Sequence, residues 1–303
     1  MGTATCVLES NDMSDTLPNT NSITPPAFTE DLLAWREKRV FSLSHPFGWW
    51  AITSLDWLEA GFNEVGSAPD ATVSLAARFP AAVATLFVDG DNLTISPAPG
   101  ADLMGEAGAL TEPLVVQSDT AFTVRASTPA RVNIVRRSDL WGVRVYDPVA
   151  ASTKSVQDDV AWFAPAPEWV LEAEFIEPES DETVPVSNVI GQVSMQRVAG
   201  RVRFQHDGAT HTLLATDAGG GRLFINFRDA SNEDYDRPQA DPVTYSGGRF
   251  LTTDVPVNGR VTLDFNRAYH PPCAHTPYAT CPIPTRDNKL PFRVEAGERV
   301  AGG

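Results

Sequence analysis

The sequence predicts an all-β protein: a small N-terminal β-sandwich led by one short helix, then a C-terminal antiparallel meander barrel or second sandwich. Three observations carry this. Short segments alternate apolar and polar residues, which is the period of a half-buried strand. Turn-forming residues separate them at regular intervals. Asp-Gly and Asn-Gly pairs stand between several of them, and these dipeptides tolerate the positive φ that tight hairpins need.

The chain has 303 residues, of which 42% are hydrophobic. That length fits two domains or one large all-β domain, with enough apolar material for a substantial core. Four parts are predicted: a disordered tail over 1–28, a sandwich with its leading helix over 29–147, a connector over 148–168, and a barrel or sandwich over 169–303. The opening residues are polar and lack a basic start followed by an apolar run, so they do not read as a secretion signal. Thr29 to Val40 reads as the helix, with Thr29 as its cap and Glu30 and Asp31 in its first turn. Strands follow at Asn63–Val65, Thr72–Leu75, Ala84–Val88, Leu93–Ser96, Leu114–Gln117, Ala121–Arg125, Val132–Arg136 and Gly142–Tyr146, with Asp89-Gly90 as a hairpin turn. Pro148 to Pro167 has weak periodicity and reads as the connection. Trp169 to Phe175 alternates, with Trp169, Leu171, Ala173 and Phe175 on one face and Glu172 and Glu174 on the other. Val189–Arg197 is expected to turn at Ala199-Gly200 into Val202–Gln205. Asp207-Gly208 leads into Thr210–Ala215, and Gly219-Gly-Gly221 into Arg222–Phe227. Asn258-Gly259 joins Thr252–Val257 to Arg260–Phe265.

The formal charge is −16, and only three lysines occur: Lys38, Lys154 and Lys289. Such a surface argues against nucleic acid, whose phosphates need basic contacts. It argues equally against anionic membranes. Self-repulsion at this charge weakens the fold at low salt and is screened at high salt. Many carboxylates with few lysines resemble the proteins of salt-accumulating microbes; the plain alternative is an ordinary acidic cytosolic protein. Refolding yield is expected to rise severalfold from dilute buffer to molar salt, and equal yields in both would favour the plain alternative. No apolar run approaches the length of a membrane-spanning helix. A soluble, cytoplasmic protein is expected, with its oligomeric state open. The three cysteines, Cys6, Cys273 and Cys281, are too sparse for a disulfide scaffold.

From Leu263 the chain reads LDFNRAYHPPCAHTPYATCPIPTRDNKLPFRVEAGE. This stretch resembles the C-terminal signature of the bacterial and archaeal family catalogued as domain of unknown function 1684, and the acidic composition implies a haloarchaeal member. Two further stretches fit: Phe47 to Gly61 with Val65-Gly-Ser67 resembles its start, and Phe227-Arg-Asp229 with Thr244 to Phe250 resembles its middle. The resemblance spans about residues 30 to 299 and brings no reaction with it. Ser231 to Pro242 is longer and more acidic than the family's usual loop. His270 stands where the family often has Asn, and His275 where an aromatic is usual. The first half also resembles a forkhead-associated sandwich around Gly61 to Asp70. That family's phosphothreonine readers place Arg after the glycine. Here Ser67 follows Gly66, so bidentate phosphate capture is not supported.

A polar-lined pocket is expected in the C-terminal half, on the strand faces opposite the core. In Val261–Asn266, alternation sets Asp264 and Asn266 against Val261, Leu263 and Phe265. In Phe292–Glu295 it sets Arg293 and Glu295 against Phe292 and Val294. A sheet with one wet face explains the same pattern. Asp264 and Glu295 are candidate acid and base. Arg249 can bind a carboxylate or phosphate, or form a structural ion pair with Asp229 or Asp264. Asn266 and Asn288 can donate to a ligand carbonyl or bond the backbone in turns. The ligand-binding candidates are thus Asp229, Arg249, Asp264, Asn266, Tyr269, Asn288 and Glu295.

Cys273 and Cys281 have three readings: a disulfide closing the loop, zinc held with His270 and His275, or two small buried thiols packing a rigid loop. The last leads, and neither metal nor cofactor is expected. His275 beside Cys273 makes a weak nucleophile–base pair. No P-loop, GxGxxG, GxSxG or HExxH is present. Trp49, Trp50 and Trp57 read as core. The leading function is recognition of a small polar ligand, with hydrolysis as an extension. The rivals are a protein-interaction module that exposes the Pro271-to-Pro284 loop, and metal-dependent chemistry at the His/Cys loop.

Overall fold

The computed structural model describes residues 25–137, 139–232 and 244–301. Its helix runs Pro25–Ser44, twenty residues. It starts four residues ahead of Thr29, so Thr29 lies inside it and is not its cap. Proline is at home in a first turn, where the missing N–H would have no partner. Pro25 to Phe28 therefore belong to the helix rather than to the expected tail; the rest of that tail, Cys6 included, lies outside the described residues. Among the described residues, no helix is long and apolar enough to cross a membrane.

The strands that follow form two facing antiparallel sheets. One has the order Ile52–Trp57, Leu140–Tyr146, Ala130–Arg137, Thr120–Val124, Leu103–Gly105, Gly108–Ala109. The other runs Val73–Ser74, Gly61–Gly66, Ala84–Asp89, Asn92–Pro97, Leu114–Val116, with the first pair parallel. Alternate residues of both sheets point inward and share one core, from Val65, Leu86 and Ile95 on one side to Phe122, Val132 and Val143 on the other. The turn between Ala84–Asp89 and Asn92–Pro97 is Gly90 and Asp91, because Asp89 is still paired, with Asn92. Gly90 supplies the positive φ.

The C-terminal half is a seven-stranded sheet that curls into a half-barrel. Its order is Arg249–Thr252, Leu223–Phe227, Ala209–Asp217, Val193–His206, Val170–Ile176, Arg260–Asp264, with Thr183–Ser187 pairing beside Val193–His206. Ala173, Phe204, Leu213, Ile225, Phe227 and Leu263 face inward, and Phe265, Leu290 and Val294 from the following chain close the open side. The fold is all-β, as the alternation predicts. Asp207-Gly208 and Asn258-Gly259 both have positive φ at each residue and turn the chain where expected.

Several segments depart from the sequence reading. Val193–His206 is one continuous strand, and Ala199-Gly200 is a bulge in it rather than a turn. Gly200 is there for closeness: a Cβ would meet the Phe175 ring at 2.4 Å and the Ile176 carbonyl oxygen at 2.7 Å. Phe292–Glu295 is not a strand, because no neighbouring strand offers a ladder. The strand Arg260–Asp264 ends before Asn266, and Phe265–Arg267 is a 3-10 turn capped by the Asp264 side chain. The connecting residues hold two one-turn helices, Pro148–Ala151 and Val156–Asp159, and a short strand, Ala161–Trp162, that pairs with Glu298–Arg299.

Candidate functional site

The seven candidate residues fall into separate networks. Arg249 and Asp229 are each fully buried in their side chains and meet at 2.7 Å. The Arg249 guanidinium also donates to the carbonyls of Ala296 (2.5 Å) and Val294 (2.9 Å), and it covers the Phe227 ring. Asp229 accepts from the backbone N–H groups of Ser231 (2.7 Å) and Val294 (3.1 Å). Burial alone would raise the Asp229 pKa, but Arg249 and the Ser231 hydrogen bonds hold it below the usual carboxylate range. The pair therefore clamps the 294–296 segment onto the sheet.

The two asparagines bond backbone. Asn288 exchanges hydrogen bonds with both backbone groups of Leu214 and donates to the Asn226 carbonyl. Asn266 does the same with Ala166. Asp264 accepts from Asn266 N–H and from Arg267. Glu295 is exposed and pairs with Arg293. Asp264 and Glu295, offered as acid and base, thus belong to different networks. The outer face of Leu223–Phe227 is covered by the loop that follows Cys281, with Asn226 donating to the Pro282 carbonyl. Only about 20 Å3 remains beneath it, room for a single water.

Tyr269 leads to a different place. The Arg39 guanidinium lies over its ring, 4.7 Å from the centroid. Arg39 also donates to the His270 carbonyl at 2.8 Å and to the Glu298 carboxylate at 3.3 Å. The other Glu298 oxygen lies 3.0 Å from His275 Nε2 and 3.5 Å from His270 Nδ1. His270 Nε2 accepts from the Tyr245 N–H at 3.1 Å, so its proton sits on Nδ1, toward Glu298. All four side chains are nearly inaccessible. Burial holds His270 neutral, with its pKa down at about 3. Glu298 stays ionised at about 2, because His270, His275 and Arg39 outweigh the burial that would raise it.

This cluster backs an open cleft of about 620 Å3. The helix supplies Trp35, Lys38, Arg39 and Ser42; the turn after Ala209–Asp217 supplies Asp217 and Arg222; Phe224, Arg267 and Tyr269 complete the wall. Four cations against one carboxylate is a reversal in a chain of charge −16. Arg267 is engaged by Asp264 and Asp31. Among the described residues, neither Lys38 nor Arg222 has an ion-pair partner, and Arg222 only donates to the Gly219 carbonyl at 3.4 Å. A larger cavity of about 950 Å3 adjoins at Asp217 and Arg222, but there Glu177, Asp181 and Asp217 outnumber Arg197 and Arg222.

Arg39 and Glu298 are absent from the sequence-based candidates. Glu298 is the last letter of the EAGE motif, and that was the available signal. His270, Cys273, His275 and Cys281 do not converge. The histidines face Glu298, the cysteines face each other, and among the described residues no group of three or more His, Cys, Asp or Glu is arranged to hold a metal ion. The loop Pro271 to Pro284 is partly interior, with Thr276, Ala279 and Cys281 buried. That burial weighs against its being an exposed recognition surface.

Residues 157–299 match the family described as "Protein of unknown function (DUF1684)". The match supports the family to which the C-terminal motif is similar, over a shorter span than the resemblance implied. The stretches at Phe47 to Gly61 and Val65 to Ser67 lie outside it. A solved structure, the solution NMR structure of an uncharacterized protein from Haloarcula marismortui, is 28% identical. The alignment covers 46% of this chain and 75% of that one, with a TM-score of 0.37. No curated protein matches.

Proposed function

We propose that the protein binds a small anionic ligand in the cleft between the N-terminal helix and the Arg222 turn. The observation that carries this is charge: among the described residues, Lys38 and Arg222 stand without ion-pair partners beside Arg39 and Arg267, in a strongly acidic chain. Cations without counter-ions in a concave wall attract an anion, and the surrounding low-dielectric walls focus that attraction. Trp35, Phe224 and Tyr269 add apolar surface beside the charges. The polar residues of the C-terminal motif support the cleft from behind in this reading. Arg249 and Asp229 hold 294–296, the next residues carry Glu298, and Glu298 fixes Arg39. His270 and His275 are buried behind Arg39, so the reading is recognition rather than bond cleavage. The acidic surface and the salt-accumulating setting belong to the same proposal.

Thermal-shift measurements with pyrophosphate, sugar phosphates, nucleotides and tricarboxylates test it. At least one of these anions is expected to raise Tm, more at low salt than at high salt. Lys38→Met and Arg222→Met should each weaken that anion's binding by about 10-fold or more, since a charge-assisted hydrogen bond contributes about 1.5–3 kcal/mol. A flat response to every anion, with Lys38→Met and Arg222→Met indistinguishable from the wild type, would overturn the proposal.

A further inference from the structure

The pair of cysteines in the loop is not used by the cleft. The backbone N–H of Cys273 donates to the Cys281 sulfur at 3.2 Å, and the N–H of Cys281 donates to the Cys273 sulfur at 3.3 Å. This reciprocal arrangement sets the two sulfurs side by side. Both thiols are free. Cys273 is half-buried and also meets the Ala279 carbonyl at 3.6 Å, while Cys281 is buried. The loop between them is braced from outside. Arg144 donates to the Tyr278 carbonyl at 3.1 Å and to the Thr280 hydroxyl at 2.9 Å. Pro271, Pro272, Pro277 and Pro282 restrict the same stretch.

We propose that Cys273 and Cys281 form a redox-modification site, a dithiol that closes to an intramolecular disulfide when a peroxide reaches Cys273. The accessible partner is the one that reacts first. The Cys273 sulfur attacks one peroxide oxygen, the O–O bond breaks, a water leaves, and Cys273 becomes a sulfenic acid. The Cys281 sulfur then attacks the Cys273 sulfur. The S–O bond breaks, the S–S bond forms, and the oxygen leaves as a second water with the Cys281 proton. Two electrons pass from the thiols to the peroxide, and the sum is two thiols plus one peroxide giving one disulfide and two waters.

The local chemistry agrees with this order. A hydrogen bond from the Cys281 thiol, the Cys281 N–H and the nearby Arg144 charge together pull the Cys273 thiol below its ordinary range, against the effect of burial. The same thiol–thiol hydrogen bond and burial push Cys281 up. Cys273 is thus the attacking sulfur and Cys281 the resolving one. The bracing by Arg144 and the prolines lets the bond form with little movement of the loop ends, since the sulfurs already face each other.

The experiment uses the full chain carrying Cys6→Ser, treated with one equivalent of hydrogen peroxide. Intact mass should fall by two hydrogens, peptide mapping should join the segments holding 273 and 281, and dithiothreitol should restore the original mass. Tm of the oxidised form should rise, because the loop is then closed in the unfolded chain as well. Cys281→Ser should stop at the sulfenic acid, trapped by dimedone on Cys273. If both thiols of the oxidised parent still alkylate at the untreated rate, or if only intermolecular dimers form, the proposal fails. That mass measurement decides the matter even where Cys281→Ser does not fold.

Discussion

Replacing Asp229 with alanine is expected to cost the fold about 3–5 kcal/mol, the penalty for leaving a buried charge without its partner. The Arg249 side chain is fully buried, and among the described residues the Asp229 carboxylate is its only anionic contact. Without it the guanidinium keeps two carbonyl partners and, among the described residues, faces no counter-charge. Asp229 in turn carries the N–H groups of Ser231 and Val294, which would lose their acceptor. The double variant Asp229→Leu with Arg249→Met should recover much of the loss, because an apolar pair of similar volume avoids the desolvation cost. Urea denaturation at neutral pH of Asp229→Leu, Arg249→Met and the double variant checks this. A double variant as unstable as the sum of the singles would show that the pair is not one coupled unit.

The second large effect is acid sensitivity centred on His270. The folded protein keeps this ring neutral down to about pH 3, whereas the unfolded chain protonates it near 6.5. Between those values the unfolded state holds more protons, so stability falls as pH drops through that window. The full difference is on the order of 5 kcal/mol, at about 1.4 kcal/mol per pH unit. Glu298 acts in the same direction at lower pH. Its folded value is about 2 against 4.5 when unfolded, so its stabilisation is complete above 4.5 and disappears toward 2. The charged groups around the ring are Glu298, Arg249, His275 and Arg39. The urea midpoint of the wild type should therefore decline from about pH 6.5 and fall faster below 4.5. His270→Asn, which removes the titrating ring, should flatten the upper part and leave the lower. Parallel curves for the two proteins would assign the acid sensitivity to other groups.

What the sequence shows of this fold is what local chemistry decides. Asp207-Gly208 and Asn258-Gly259 turn where they stand because their own backbone preferences require it. The alternation from Trp169 to Phe175 names its buried face correctly, since Ala173 is buried and Leu171 and Phe175 pack on the same core. Gly200 reads as a turn but serves a ring and a carbonyl from another strand, a tertiary reason invisible in its neighbours. Phe292 to Glu295 alternates without being a strand, because alternation does not supply a pairing partner. The strand Ile52–Trp57 is not among the strands expected from the sequence and becomes visible only through its pairing with Leu140–Tyr146. The site divides the same way. Tyr269 and the histidines lie within the motif that the sequence singles out. Arg39 comes from a helix more than two hundred residues earlier, and charge along a helix does not say what it will meet.

The bond from Arg39 to Glu298 spans 259 residues. One wall of the cleft is therefore synthesised 259 residues before its brace. Closing a loop of that length carries an entropic cost that grows only slowly with its size, but it cannot be met before the second partner exists. A nascent chain thus carries Lys38 and Arg39 on a helix whose brace is not yet made, and this wall of the cleft is held in place only once Glu298 has been added. The ligand proposed above would meet a braced cleft only after the segment that carries Glu298 has folded against the helix Pro25–Ser44.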